Sequence, residues 1–149
     1  MQEVLERLQE KVGSEIGVSA WMDITQERVN TFADATDDHQ FIHVDPEKAA
    51  GTPFGGTIAH GFLTLSLVVP LLARIPLDVG QPKMGINYGL NKVRFPAPVP
   101  VGSRVRARYT LDSVAEVPGG IHMERTVTVE IEGSDKPALV AESLVRLYY

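Results

Sequence analysis

Nine consecutive positions, Asp37-Asp38-His39-Gln40-Phe41-Ile42-His43-Val44-Asp45, hold three carboxylates and two imidazoles. A further imidazole, His60, precedes Gly61 at the head of an apolar run. An Asp and a His brought together in an apolar pocket can grip one water, polarise it and pass a proton. The competing reading is a helix-capping region with a solvated connection, since Asp is common around helix ends. Local composition leaves both open. A metal is a third reading, because His39 and His43 are four apart, the spacing of two ligands on one helical face. However, Asp45-Pro46 starts a helix only after them, so both are expected on irregular chain. With no cysteine and no third assured ligand, no metal is expected.

His60-Gly61 is the second signal. A helix start leaves N–H groups unpaired and carries partial positive charge, and glycine lets a ligand approach the backbone closely. Such a site suits a carbonyl oxygen that gains negative charge during reaction. Close helix–sheet packing would also explain a lone glycine. Ser66, five residues on, has no Gly-x-Ser-x-Gly around it, so a nucleophile-elbow hydrolase is not supported. A hydroxyl there is expected to bond its own backbone four residues back. Gly55-Gly56 and Gly119-Gly120 fit turns and match no phosphate-loop pattern. Arg104, Arg106 and Arg108 share one strand face, which by default is solvated; a diphosphate-bearing ligand is the lesser alternative.

These residues need elements to hold them. Val4, Leu5, Leu8 and Val12 make residues 1–12 a short surface helix. A β-favouring stretch starts at Val18. Thr25 reads as the N-cap of a helix ending near Asp37, with Val29, Phe32 and Ala33 as its apolar stripe. Asp45, Pro46 and Glu47 read as N-cap, N1 and N2 of another brief helix. Residues 57–74 are apolar nearly all round, which predicts a helix buried within the domain, kinked or weakened at Pro70. From Met84 onward the period becomes two, through runs at 84–95, 104–111, 126–132 and 138–147. In the third run, Val127, Val129 and Ile131 face the core. Consecutive strands with one apolar helix define an α+β class, with an antiparallel sheet of about five strands wrapped around that helix.

At 149 residues the chain reads as one domain, 1–149, and 44% hydrophobic content excludes a disordered linker. Nineteen acidic residues against 14 basic ones, a net charge of −5, argue against nucleic-acid binding. The absence of cysteine excludes disulfides, thiolate chemistry and iron–sulfur clusters. The amphipathic, acidic start is not a signal peptide, and no apolar run reaches the roughly 20 residues a membrane span needs. A cytoplasmic protein is expected.

Together, Asp38 to Pro46 and His60-Gly61-Phe62-Leu63-Thr64-Leu65-Ser66 resemble the motifs of the MaoC-like, R-specific enoyl-CoA hydratase family of the hot-dog superfamily. Arg94-Phe-Pro-Ala-Pro-Val-Pro-Val-Gly102 is similar to a third family stretch, and the likeness spans about residues 14 to 147. It is greatest to single-hot-dog bacterial dehydratases and nodulation-N-like proteins. The resemblance implies Asp38 and His43 as catalytic pair, because 43 − 38 matches the motif spacing. It also implies Gly61 N–H as oxyanion donor, Ser66 as substrate-binding serine, a structural His60, and no role for His39. Asp37, Gln40 and Phe41 stand where the family usually has Gly, Asn and Pro. The implied reaction is reversible hydration of trans-2-enoyl thioesters, of CoA or acyl-carrier protein, to (R)-3-hydroxyacyl thioesters. It needs no cofactor, and a homodimer is implied. The rival functions are an acyl-CoA thioesterase and a non-catalytic acyl-thioester-binding protein.

Overall fold

The computed structural model describes residues 1–149. Helix α1 (Gln2–Gln9) leads into short strands β1 (Glu15–Val18) and β2 (Met22–Asp23), then helix α2 (Gln26–Thr36). One-turn helices α3 (Phe41–Val44) and α4 (Pro46–Ala50) precede α5 (Gly61–Leu72), and β3 (Met84–Arg94), β4 (Arg104–Val117), β5 (Gly120–Ile131) and β6 (Leu139–Tyr148) complete the chain. The strands form one antiparallel sheet in the order β1-β4-β5-β6-β3, with β2 also pairing β4, so there are six strands. The chain is α+β, as its changing period implies.

Burial follows the period-2 pattern. Val105, Ala107 and Tyr109 of β4, Val127, Val129 and Ile131 of β5, and Leu139 and Ala141 of β6 form one buried cluster. Leu63, Leu67, Val68, Leu71 and Leu72 of α5 complete it, so the helix lies on the face that the alternation selects. A second cluster joins Val4, Leu5 and Leu8 of α1 to Leu111, Ile121 and Met123. On the outer face the arginines are paired. Arg104 bonds Glu132, Arg106 and Arg108 share Glu130, and Arg108 also reaches Glu15. A diphosphate would have to displace these carboxylates.

Several boundaries differ from the sequence reading. Helix α5 begins at Gly61 because residues 57–60 are extended. Ile58 bridges Pro100, Ala59 N–H donates to Val99, and Val101 N–H donates to Thr57. Pro70 lies inside α5, leaving the Ser66 carbonyl without its helical donor. The helix is also not wholly buried: Phe62 is 70% and Val69 53% exposed. Strand β5 starts at Gly120, six residues earlier than the alternation marks, because the Val117↔Gly120 pair closes a tight hairpin through Gly119 at φ +76°.

Candidate active site

Three local features bring the polar cluster together. Thr25 caps α2 by accepting from Arg28 N–H, and α2 ends at Asp37 with φ +58°, the left-handed conformation that favours glycine. This turn sends the chain back toward α5. Asp45 then caps α4 by accepting from Lys48 N–H, with Pro46 in the first turn. Between the caps, residues 41–44 form helix α3 rather than irregular chain, closed by His43 N–H donating to Gln40 and Asp45 N–H to Phe41. This one turn carries His43 inward.

His43 and His60 are both buried. Their rings stack with centroids 3.8 Å apart, and Phe32 packs on His60 from the adjacent helix at 4.9 Å. Each ring is tied to a backbone carbonyl: His43 Nδ1–H donates to Ile58 at 2.7 Å, and His60 Nε2–H to Asp38 at 2.9 Å. Carbonyls only accept, so these contacts assign the protons. In a neutral ring His43 therefore carries its lone pair on Nε2, while His60 Nδ1 is a buried atom with no partner. The Asp38 side chain is about half exposed, with Oδ2 3.9 Å from His60 Nε2. One ligand-type atom from each of Asp38, His43 and His60 lies within 4.8 Å of the others. Gaps of that size between polar groups are the span of a bridging water. Burial, foremost, holds the His43 imidazole below its ordinary value; nearby His60 acts the same way, against the opposing pull of the Ile58 carbonyl and Asp38.

Asp38, rather than Asp37, meets the histidines. Gly61 follows His60 directly as the first residue of α5, with its N–H at the helix start. A Cβ on Gly61 would come within 3.2 Å of the Phe95 ring, so glycine keeps that approach open. Ser66 stands apart from the polar cluster. Its hydroxyl donates to Phe62 C=O at 2.8 Å, and the residue lines a cavity of about 660 Å3 between α5 and the sheet. His39 is exposed and paired with Asp34 at 2.7 Å, away from His43, so no metal pair forms at those two residues. The resemblance implies a structural role for His60, and its contacts are a ring stack and a backbone tie. Its tie to Asp38 spans 22 residues, a distance no local pattern reports; the visible signal was only its place beside Gly61.

An antiparallel sheet packed around one long helix defines a hot-dog protein, here with an Asp/His cluster at the helix start. The chain belongs to the MaoC-like family: the MaoC like domain model matches residues 7–132. A 3-hydroxyacyl-thioester dehydratase Z from Mycobacterium tuberculosis (strain ATCC 25618 / H37Rv) is 61% identical over 135 residues, covering 90% of this chain and 89% of that protein. Nodulation protein N of Rhizobium meliloti (strain 1021) is 52% identical over 132 residues, covering 87% and 82%. Among solved structures, the (R)-hydratase from A. caviae involved in PHA biosynthesis superposes with a TM-score of 0.73 at 28% identity. That match covers 90% of this chain and 94% of the hydratase.

Proposed function

We propose that this protein is a hydro-lyase that interconverts trans-2-enoyl and (R)-3-hydroxyacyl thioesters. The observation that carries the reading is the meeting of Asp38 and His43 beside the Gly61 start of α5. The 61% identity to a 3-hydroxyacyl-thioester dehydratase points the same way.

In the hydration direction, one water sits between the Asp38 carboxylate and His43 Nε2. Its oxygen adds to the β-carbon, and the proton balance is closed by delivery of one proton to the α-carbon through the same pair. Negative charge passes to the thioester oxygen as an enolate, where Gly61 N–H and the start of α5 meet it. Dehydration is the reverse. The Ile58 carbonyl keeps His43 in the tautomer whose lone pair is on Nε2. The acyl chain lies in the cavity beside Ser66, with each buried methylene contributing roughly 0.8 kcal/mol until the space is filled. CoA and acyl-carrier-protein thioesters are both candidate substrates, and the proposed compartment is the cytoplasm. No helix is long and apolar enough to cross a membrane.

The working unit is proposed to be a homodimer. Phe62 and Val69 of α5 are exposed beside β3, an edge strand that also exposes Met84, Ile86, Tyr88 and Leu90. A long apolar edge of this kind is a template for pairing. Sedimentation at micromolar concentration should show a dimer, and a compact monomer would contradict it.

The test of the activity is purified protein with crotonyl-CoA. The expected result is reversible loss of enoyl absorbance and an (R)-3-hydroxy product. Release of free thiol would instead indicate a thioesterase. Binding without turnover, unchanged by Asp38→Asn, would indicate a binding protein.

A further inference from the structure

The inward row of β5 reads Ile121, Met123, Arg125, Val127, Val129, and its one charged member lies at the seam between the two apolar clusters. Arg125 lines the cavity under α5, whose walls include Val69, Leu90, Met123 and Ala141. Its Nη2 donates to Ser143 Oγ at 3.1 Å, and its guanidinium lies 5.6 Å from the centroid of the Tyr109 ring. Its Nε is buried without any partner, and no carboxylate pairs with it. Every arginine on the outer face of the neighbouring strand β4 is, by contrast, matched to a glutamate. Buried cations are normally paired, because desolvating one alone is costly. Burial in fact pulls the Arg125 guanidinium below its ordinary value, with only the Tyr109 phenol opposing. A guanidinium keeps its charge inside a protein, so the missing partner is an anion.

We infer that the cavity receives an aliphatic chain ending in a carboxylate, with Arg125 as the counter-ion and Ser143 beside it. The apolar walls take the methylenes, and the planar guanidinium suits a carboxylate better than a lone oxygen. Such a ligand has two sources: a free fatty acid, or the far end of a dicarboxylic acyl thioester. The first requires only the cavity. The second rests on the dehydratase reading, since Leu65 and Ser66 at the cavity wall are four and five residues from Gly61, roughly 6–7.5 Å along the helix.

The experiment is titration calorimetry of the full chain at neutral pH with octanoate and with octanol, probes of equal chain length. Wild type should bind octanoate on the order of 10–100-fold more tightly than octanol. Arg125→Met and Arg125→Gln should each abolish that preference, and Arg125→Met should melt no lower than wild type because an unpaired buried cation has been removed. Equal binding of acid and alcohol by wild type, no binding of either, or a preference that survives both substitutions would overturn the inference. The wild-type comparison holds even if a variant fails to fold. Turnover of enoyl-CoA with and without a terminal carboxylate then separates the sources. An Arg125-dependent preference for the carboxylated thioester identifies the substrate's own end. Octanoate binding with equal turnover of the two identifies a free acid. Octanoate binding with no turnover of any thioester leaves the inference standing and removes the dehydratase reading.

Discussion

The polar cluster at the start of α5 and the arginine under its middle both bury polar groups against apolar walls, in opposite ways. At the cluster, backbone carbonyls from distant segments hold one N–H of each imidazole, so the rings arrive already oriented. At the arginine, a hydroxyl and an aromatic face are the only company, and the charge is left open. Chemistry needs groups held in one protonation state and orientation, whereas recognition needs an unmet demand that the ligand satisfies.

The largest effect should come from the chemical side of this comparison. Asp38→Asn and His43→Gln are each expected to lower hydration by on the order of 10²–10⁴ with little change in melting temperature. Asp37→Asn, outside the cluster, should be much milder in the same steady-state assay. The reverse ranking would move the role to Asp37 and break the site as described.

His60 sharpens the contrast, because it acts through its neighbours. His60→Gln retains an amide donor for the Asp38 carbonyl but loses the stack on His43. Turnover should fall between about 10- and 100-fold, the scale of a misplaced reacting group. The acid limb of the pH–rate profile should move to higher pH, since His60 helps to hold the His43 imidazole low. A fall in rate with an unmoved acid limb would make His60 a packing residue only.

A smaller effect concerns stability and pH. An unfolded imidazole protonates around its ordinary value of 6.5, and the folded His43 does so lower, chiefly through burial. Between those values the unfolded chain binds more protons, so stability rises with pH across the window. It is complete above the ordinary value and is lost progressively as pH falls below it. Urea titrations over this range should show that slope in wild type and a shallower one in His43→Gln. The smallest effect should be Ser66→Ala, which removes a hydroxyl bonded to its own helix and exposed in the protomer. Stability should stay within about 0.5 kcal/mol in denaturant melts, and any change in activity should appear in KM rather than kcat.

Much of this arrangement is legible in the residues themselves. Thr25 and Asp45 announce their helices through capping chemistry, and alternation at Val127, Val129 and Ile131 selects the face that meets α5. Those signals are local. The carbonyl partners of His43 and His60 lie 15 and 22 residues away, so the role of His60 beside Gly61 could not be read from spacing. The apolar run of 57–74 predicts burial on all sides, whereas Phe62 and Val69 are exposed, because hydropathy does not say what, if anything, covers a surface. Arg125 is visible in the sequence as a cation on the inward row of an otherwise apolar face.

The extended residues 57–60 also bear on the order in which this molecule can assemble. Part of their fastening, Ala59 N–H to Val99 and Val101 N–H to Thr57, is to residues that leave the ribosome some forty residues later. The stretch just before them holds Asp38 and His43, and His43 depends on Ile58 for its tautomer. Strands β4, β5 and β6 follow one another as neighbouring hairpins, the kind of local pairing that forms early. The N-terminal half can therefore make its own ties early, Ile58 N–H to Ile42 and His43 to Ile58, but the bridge of residues 57–60 to Val99 and Val101 must wait for the later chain. Amide exchange should find residues 57–60 opening ahead of the central strands, since the fastening made last is the first to loosen.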